Sequence, residues 1–312
     1  MLQPEAWSLQ PEGASVSRMK LRVLVVYKKA AYQQYIQEQQ DTRLVHLLRK
    51  GHPDALDMQR AHAVHEESMD AIVHVLRQLP VQFDLAYRAD VKATTRYDLV
   101  ISVGGDGTFL HAARNIGQTP LLGVNSDPQR SEAVFCAATR RTFARLCRRA
   151  LEGRLPELRL YRLQLTLNGK RLPQRALNDV LVVHDDPATM SRYRLRIGAR
   201  EEAQKSSGVW ISTAAGSSSA ALAAGGVRLS WSDAKFQYRP RELYQGRLSH
   251  PRLRGGVLPP LARLRVTWLM RRGSAFIDGP HVKIPLAFTD QLEIRLSLRD
   301  PLRVLGIRSG HR

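Results

Sequence analysis

The chain has 312 residues, 43% hydrophobic and 24% charged, with a formal net charge of +20. That length has room for two domains. No stretch approaches the roughly 18 consecutive apolar residues of a membrane span, and two cysteines, Cys136 and Cys147, exclude a disulfide framework. The thiols read as small buried hydrophobes in a reducing cytoplasm. The basic residues are mostly arginines spread along the whole chain, with few aromatics among them. That distribution fits a solvated basic surface able to steer anionic substrates, and not a nucleic-acid arm.

Residues 1–19 carry Pro, Gln, Ser and Gly, with neither an apolar signal core nor an Arg-rich transit pattern, and are expected to be a disordered lead-in. Leu21–Tyr27 reads as a strand, 53–79 as a helix by its apolar spacing, and 83–87 as a short strand. Asp98 to Val103 is an apolar run of buried-strand type. A helix is expected to open at Thr108, with that residue as its N-cap, and 120–125 reads as a further strand. This repeated β-α-β order implies a parallel sheet over 20–155, with ligands outside the carboxyl ends of its strands.

The rhythm changes near 153–157. Residues 160–167 alternate apolar and polar, and Asn168-Gly169 is a strong hairpin signal. Further strands are expected at 176–183, 193–197, 208–213, 264–268 and 292–298, which makes 156–284 a β-rich domain. The C-terminal segment 285–312 is a candidate to return to the first domain. The irregular Arg-, Tyr- and Pro-rich stretch 230–260 reads as a loop or lid. The fold class is therefore α/β followed by β.

Gly104-Gly105-Asp106-Gly107-Thr108 carries the most chemistry. Glycines at a strand-to-helix turn let main-chain amides approach an anion, and the helix N-terminus adds its dipole. A carboxylate amid such a cradle repels what the glycines attract, so it points to a base toward a hydroxyl, or to a holder of Mg²⁺. Asn178-Asp179 offers an amide and an acceptor suited to base edges and sugar hydroxyls, though Asn-Asp before a strand is also turn chemistry. The small-residue run from Ser206 to Ala220 permits close ligand approach, or simply starts a helix. Ile277-Asp278-Gly279-Pro280 reads as a hairpin turn. His62 and His65 lack a partner set for a metal and read as a solvated helix face. No Gly-x-x-x-x-Gly-Lys-Ser/Thr loop is present, which excludes a P-loop enzyme.

In this order, the glycine turn, Gly123-Val124-Asn125-Ser126-Asp127-Pro128, Leu177-Asn178-Asp179, Ser207-Gly208 and Ser212-Thr213-Ala214-Ala215-Gly216-Ser217 resemble the ATP-dependent NAD kinase family, nearest its divergent mitochondrial and plant NADH-kinase branch. The resemblance covers most of residues 21–284. It implies the NAD kinase-like, diacylglycerol kinase-like fold and phosphorylation of the ribose 2′-hydroxyl of NAD or NADH by ATP or polyphosphate, giving NADP(H). Asp106 would be the base. Gly104, Gly105, Gly107, Thr108 and Asn125 would hold phosphates, and Asn178, Asp179, Ser207, Thr213, Ser217 and Ser218 the acceptor dinucleotide. Mg²⁺ would arrive with ATP, with no protein metal cage, and the assembly would be a homodimer or tetramer joined through the β-rich half.

The chain departs from the usual pattern at Ser126–Glu132, at Ser207 where many members carry Asp, and at Ser218-Ser219-Ala220, which lacks a stacking Tyr. Lys205 and Arg130 are candidates for neutralising phosphate. Two other readings compete: a lipid kinase of diacylglycerol or sphingosine type, and a non-catalytic protein that binds nucleotide or nucleic acid on a kinase scaffold.

Overall fold

The computed structural model describes residues 20–91, 95–247 and 249–307; the expected lead-in at 1–19 and the end of the candidate returning segment, 308–312, lie outside the described residues. The first half runs β1 (Leu21–Tyr27), a π-helical turn (Tyr32–Glu38), α1 (Thr42–Arg49), α2 (Pro53–Arg77), β2 (Val81–Tyr87), β3 (Leu99–Gly104), α3 (Asp106–Asn115), β4 (Leu121–Asn125), β5 (Ala138–Thr139) and α4 (Phe143–Leu151). The second half adds β6 (Glu157–Leu167), β7 (Lys170–Ala176), β8 (Asp179–Val183), β9 (Ser191–Ile197), β10 (Arg200–Ser206), β11 (Val209–Thr213) and the short α5 (Ala220–Ala223). After it come β12 (Phe236–Pro240), β13 (Gly256–Leu258), β14 (Arg263–Trp268), β15 (Gly273–Ile277), β16 (Lys283–Leu286) and β17 (Gln291–Leu305). Among the described residues, no helix is long and apolar enough to cross a membrane.

Strands β2-β1-β3-β4 are parallel, and every residue of β3 and β4 is buried, which is why both read as unbroken apolar runs. Helices cover both faces. Ile72 and Leu76 of α2 and Phe143 and Cys147 of α4 pack on one side; Phe109, Leu110, Ala112 and Ala113 of α3 pack on the other. The sheet does not stop at the half-way point. The 15-residue β17 pairs antiparallel with β6 and β14 and then, at Val304, lies parallel to Leu121 of β4. One mixed sheet therefore runs from β2 to β10 through both halves. A second sheet, ordered β13-β12-β11-β8-β15-β16, packs over its C-terminal part around Trp268, Tyr193 and Phe236.

Several expectations change. Residues 176–183 do not form one strand: β7 ends at Ala176 and β8 starts at Asp179, because the intervening amides bond to a side chain and not to a neighbouring strand. The stretch 230–260 holds β12 and β13, whose Phe236 and Leu258 are drawn into the core. His65 is not on a solvated face; it is buried, with Nε2 2.9 Å from the Lys28 carbonyl oxygen. Cys147 is buried as expected, whereas Cys136 is only half-buried.

Arg162 of β6, wholly buried, ties the second half to α3. Its guanidinium donates to the carbonyls of Ala113 (3.0 Å) and Ile116 (2.8 Å) at the end of that helix and to the Asp300 carbonyl (3.0 Å) on β17. A buried cation here complements the carbonyl end of the helix dipole. Arg162→Met is expected to leave these carbonyls without donors and lower stability by about 3 kcal/mol or more, read as a fall in the urea unfolding midpoint at unchanged slope.

Candidate active site

The turn after β3 sets the first wall of the site. Gly105, in extended conformation, is the N-cap of α3, which begins at Asp106. Thr108 therefore lies inside the first turn and is not the cap that the sequence predicted. Its side chain is buried against Gly104, where any Cβ would overlap its hydroxyl. Gly104 and Thr108 thus pack on each other, while Gly105 and Gly107 remain partly open.

The Asp106 carboxylate accepts backbone N–H bonds from Val134 (3.1 Å) and Phe135 (2.9 Å). Phe135 is held in turn by stacking: its ring lies 5.1 Å from Phe109 of α3 and 5.0 Å from Trp231. Burial raises the Asp106 pKa above the ordinary carboxylate range, the two amide bonds oppose this, and the Glu132 charge adds to it. Each oxygen keeps a lone pair, so a partly buried, oriented base results. Asp106, Cys136, Ser218, Ser219, Arg228 and Trp231 line one cleft of about 640 Å³.

The second wall is the Leu177–Asp179 corner. The Asp278 carboxylate, buried beneath it, accepts N–H bonds from Leu177 (2.9 Å), Asn178 (2.8 Å) and Asp179 (3.1 Å), and Asp278 N–H returns a bond to the Asp179 carbonyl (3.0 Å). Asp278 adopts φ +48°, so the expected turn is real, but its side chain does more than bend the chain. From the other side Thr213 Oγ1 donates to the Leu177 carbonyl (2.5 Å) and accepts from Gly216 N–H (3.0 Å). Gly216 lies so close that a Cβ would overlap the Asn178 backbone. Asn178 Oδ1 is buried with no partner among the described residues. Asp179 is pushed up to about 7, first by burial and then by the neighbouring Asp278 charge, with the Ser219 hydroxyl opposing. That hydroxyl reaches Asp179 at 3.4 Å while Ser219 lines the Asp106 cleft, so one serine joins the two walls.

Not every predicted residue meets the cleft. Thr213 and Ser217 are buried positioning groups: Ser217 Oγ accepts from Leu229 N–H (2.9 Å) and so tethers the segment bearing Arg228 and Trp231. Asn125 spends its amide on its own loop, donating to the Ser131 carbonyl (2.8 Å) and accepting from Asp127 N–H (3.0 Å). Ser207 precedes β11 at its Val209 end. Asp179 pairs near the opposite end with Ser212, so Ser207 and Asp179 lie toward opposite ends of β11. Arg130 is neutralised by Asp57 (2.9 Å) and Asp127 (3.1 Å), and Lys205 lines a separate groove with Arg192 and Tyr244.

Sequence reasoning missed Asp278, Ser219, Arg228 and Trp231. The Ile-Asp-Gly-Pro turn, the small-residue run from Ser206 to Ala220 and an aromatic inside an irregular stretch were the hints. Asp278→Ala is expected to strand three buried amides and lower stability by about 3 kcal/mol, with Asp278→Asn intermediate. Thermal unfolding of the two variants checks the order.

The chain matches the family model described as ATP-NAD kinase N-terminal domain over residues 14–148. It is 35% identical over 254 residues to a probable NADH kinase of Oryza sativa subsp. japonica, covering 74% of this chain and 78% of that one. It is 33% identical over 256 residues to an NADH kinase of Arabidopsis thaliana, covering 74% and 80%. Among solved structures it resembles an NAD kinase from Archaeoglobus fulgidus in complex with ATP (TM-score 0.63, 20% identity, 91% of this chain and 93% of that one). It also resembles yeast NADH kinase complexed with NADH (TM-score 0.65, 17% identity, 94% and 85%). Fold and glycine turn together define an enzyme that transfers phosphate. The chain belongs to the NAD kinase family.

Proposed function

We propose that this protein transfers the terminal phosphoryl group of ATP or another polyphosphate donor to the ribose 2′-hydroxyl of NAD or NADH, giving NADP(H). The observation that carries the reading is the Asp106 carboxylate, fixed by two backbone amides at the mouth of a cleft that Ser219 shares with Asp179. The acceptor occupies this cleft with its adenosine ribose against Asp106, Trp231 offers a flat surface to a ring, and Asn178 and Asp179 meet its hydroxyls. Residues 20–155 supply the phosphate side and 156–284 the dinucleotide side, with the C-terminal strand returning between them.

Phosphoryl transfer asks mainly for position and charge neutralisation. Asp106 takes the proton of the attacking hydroxyl. Asp106 and Glu132 border the cleft as separate carboxylates, a donor set that fits Mg²⁺ carried in on the donor phosphates and not an all-protein cage. When bound, that ion offsets the donor's negative charge. A homodimer or tetramer and a cytoplasmic location complete the reading, the latter supported by two cysteines that form no disulfide.

A coupled assay for NADP(H) tests the proposal. Asp106→Asn is expected to lower kcat by about 10²–10⁴ with little change in either KM; a variant near full rate would overturn the assignment. Asp179 gives a second test. Sugar hydroxyls donate best to an ionised acceptor, so acceptor binding favours loss of the Asp179 proton. KM for NAD(H) is expected to fall as pH rises through about 7, by up to about tenfold between pH 6 and pH 8, and the slope to vanish in Asp179→Asn. The same raised pKa makes the free protein lose stability as pH climbs from about 4 toward 7, because the unfolded acid ionises first.

A further inference from the structure

Helix α3 has a second face that the reaction described above leaves unused. Gly107, His111 and Arg114 stand at i, i+4 and i+7, one stripe along the helix, whereas Asp106 starts the neighbouring stripe. At the top of the stripe Arg88 reaches across from the end of β2: its Nη1 lies 3.9 Å from where a Cβ would stand on Gly107. Lower down, the ring of His281 lies 6.0 Å from that of His111. Two arginines and two histidines from three separate parts of the chain thus converge beside the first turn of α3. The backbone amides of Asp106 and Gly107 precede the first intrahelical bonds there, which begin at Thr108 N–H.

Asp278 favours the charge of Arg114, but without a direct ion pair. Among the described residues, no carboxylate forms an ion pair with Arg88, Arg114, His111 or His281. Asp278, the acid nearest Arg114, commits its oxygens to three backbone amides and meets Arg114 only through its carbonyl (2.6 Å). Nε and Nη1 of Arg114 and Nδ1 of His111 are buried without a partner. Buried polar groups left unpaired are costly, and an anion supplies the acceptor that the two Arg114 nitrogens lack. Burial and then Arg114, Arg88 and His281 push His111 down to about 4, and burial, Arg88 and Arg114 lower His281, so both imidazoles stand neutral; Arg114 is lowered by burial and by Arg88 against the opposing Asp278 charge.

We propose that Arg88, His111, Arg114 and His281, with the open amides of Asp106 and Gly107, bind the phosphate chain of the phosphoryl donor. The donor's identity rests on the kinase reading; the anion site itself does not. The placement puts the chain one residue along from Asp106, within reach of an acceptor hydroxyl held in the neighbouring cleft. A guanidinium fork, two imidazoles and main-chain amides all recognise phosphate oxygens and none contacts a base, so the site accepts inorganic polyphosphate as readily as a nucleotide.

The probe is inorganic tripolyphosphate, titrated calorimetrically into the full chain without NAD(H). Wild type is expected to bind it, and Arg88→Gln/His281→Gln to bind it about tenfold to a hundredfold more weakly. In the turnover assay the same variant is expected to raise KM for ATP by a similar factor and leave KM for NAD(H) unchanged. His281→Gln alone, at an exposed position, is expected to give a smaller change of the same sign. Proton NMR supplies an independent readout: tripolyphosphate at pH 7 shifts the His111 imidazole toward its protonated position. Equal tripolyphosphate affinity in wild type and the double variant overturns the proposal, as does tripolyphosphate that competes with NAD(H) and not with ATP. If wild type makes no NADP(H) yet binds tripolyphosphate through Arg88 and His281, the anion site stands and the kinase reading falls.

Discussion

A buried carboxylate, that of Asp278, sets the geometry on which the site depends. Three consecutive amides at Leu177, Asn178 and Asp179 point at it, and a backbone bond returns to Asp179. Those amides would otherwise continue the β7 strand. Turned inward, they make a corner that presents Asn178 and Asp179 at the end of β8. Through its own carbonyl Asp278 also receives Arg114 of α3, so one residue joins the helix of the glycine turn to the corner of the other sheet. Burying such a charge is costly, and here the cost is offset by amides that would otherwise be orphaned.

The consequence for chemistry is a pair of acids tuned apart. Asp106 is half-enclosed and held by two amides; Asp179 is buried beside a second carboxylate and has only a weak hydroxyl contact. Asp106 lines the cleft as an oriented carboxylate, and Asp179 is pushed up to about 7. Ser219 lies between them. The bond from Ser217 to Leu229 then fixes the strap that carries Arg228 and Trp231, and the strap's indole completes a stack reaching Phe109 in the core.

Much of this was legible in the chain itself. Parallel strands buried on both faces have to be apolar throughout, so β3 and β4 stood out. Asn168-Gly169 adopts the paired positive φ values that a tight hairpin requires. The glycine turn announced Asp106 because a carboxylate is out of place in a phosphate cradle. Elements whose surfaces face water were harder to see. The edge strand β10 reads Arg-Glu-Glu-Ala-Gln-Lys-Ser, and α4 hides its buried Phe143 and Cys147 among arginines. Asp278 and Trp231 were opaque for another reason. Their roles come from groups about a hundred residues away, and no local pattern encodes such a partner. Thr108 and Asn125 show the converse: the right residues in the expected place, turned to packing and loop closure.

The single strand β17 runs from the β-rich sheet to the parallel one, paired with β6 on either side of a register shift at Ser297/Leu302, with β14 at its start and with β4 at Val304. It works as a spine. Opening the molecule like a clamshell would tear the β6–β17 ladder. The strap at 226–235, by contrast, is held by bonds to Ala221, Ser217 and Gln237 and by the Trp231 stack on Phe135.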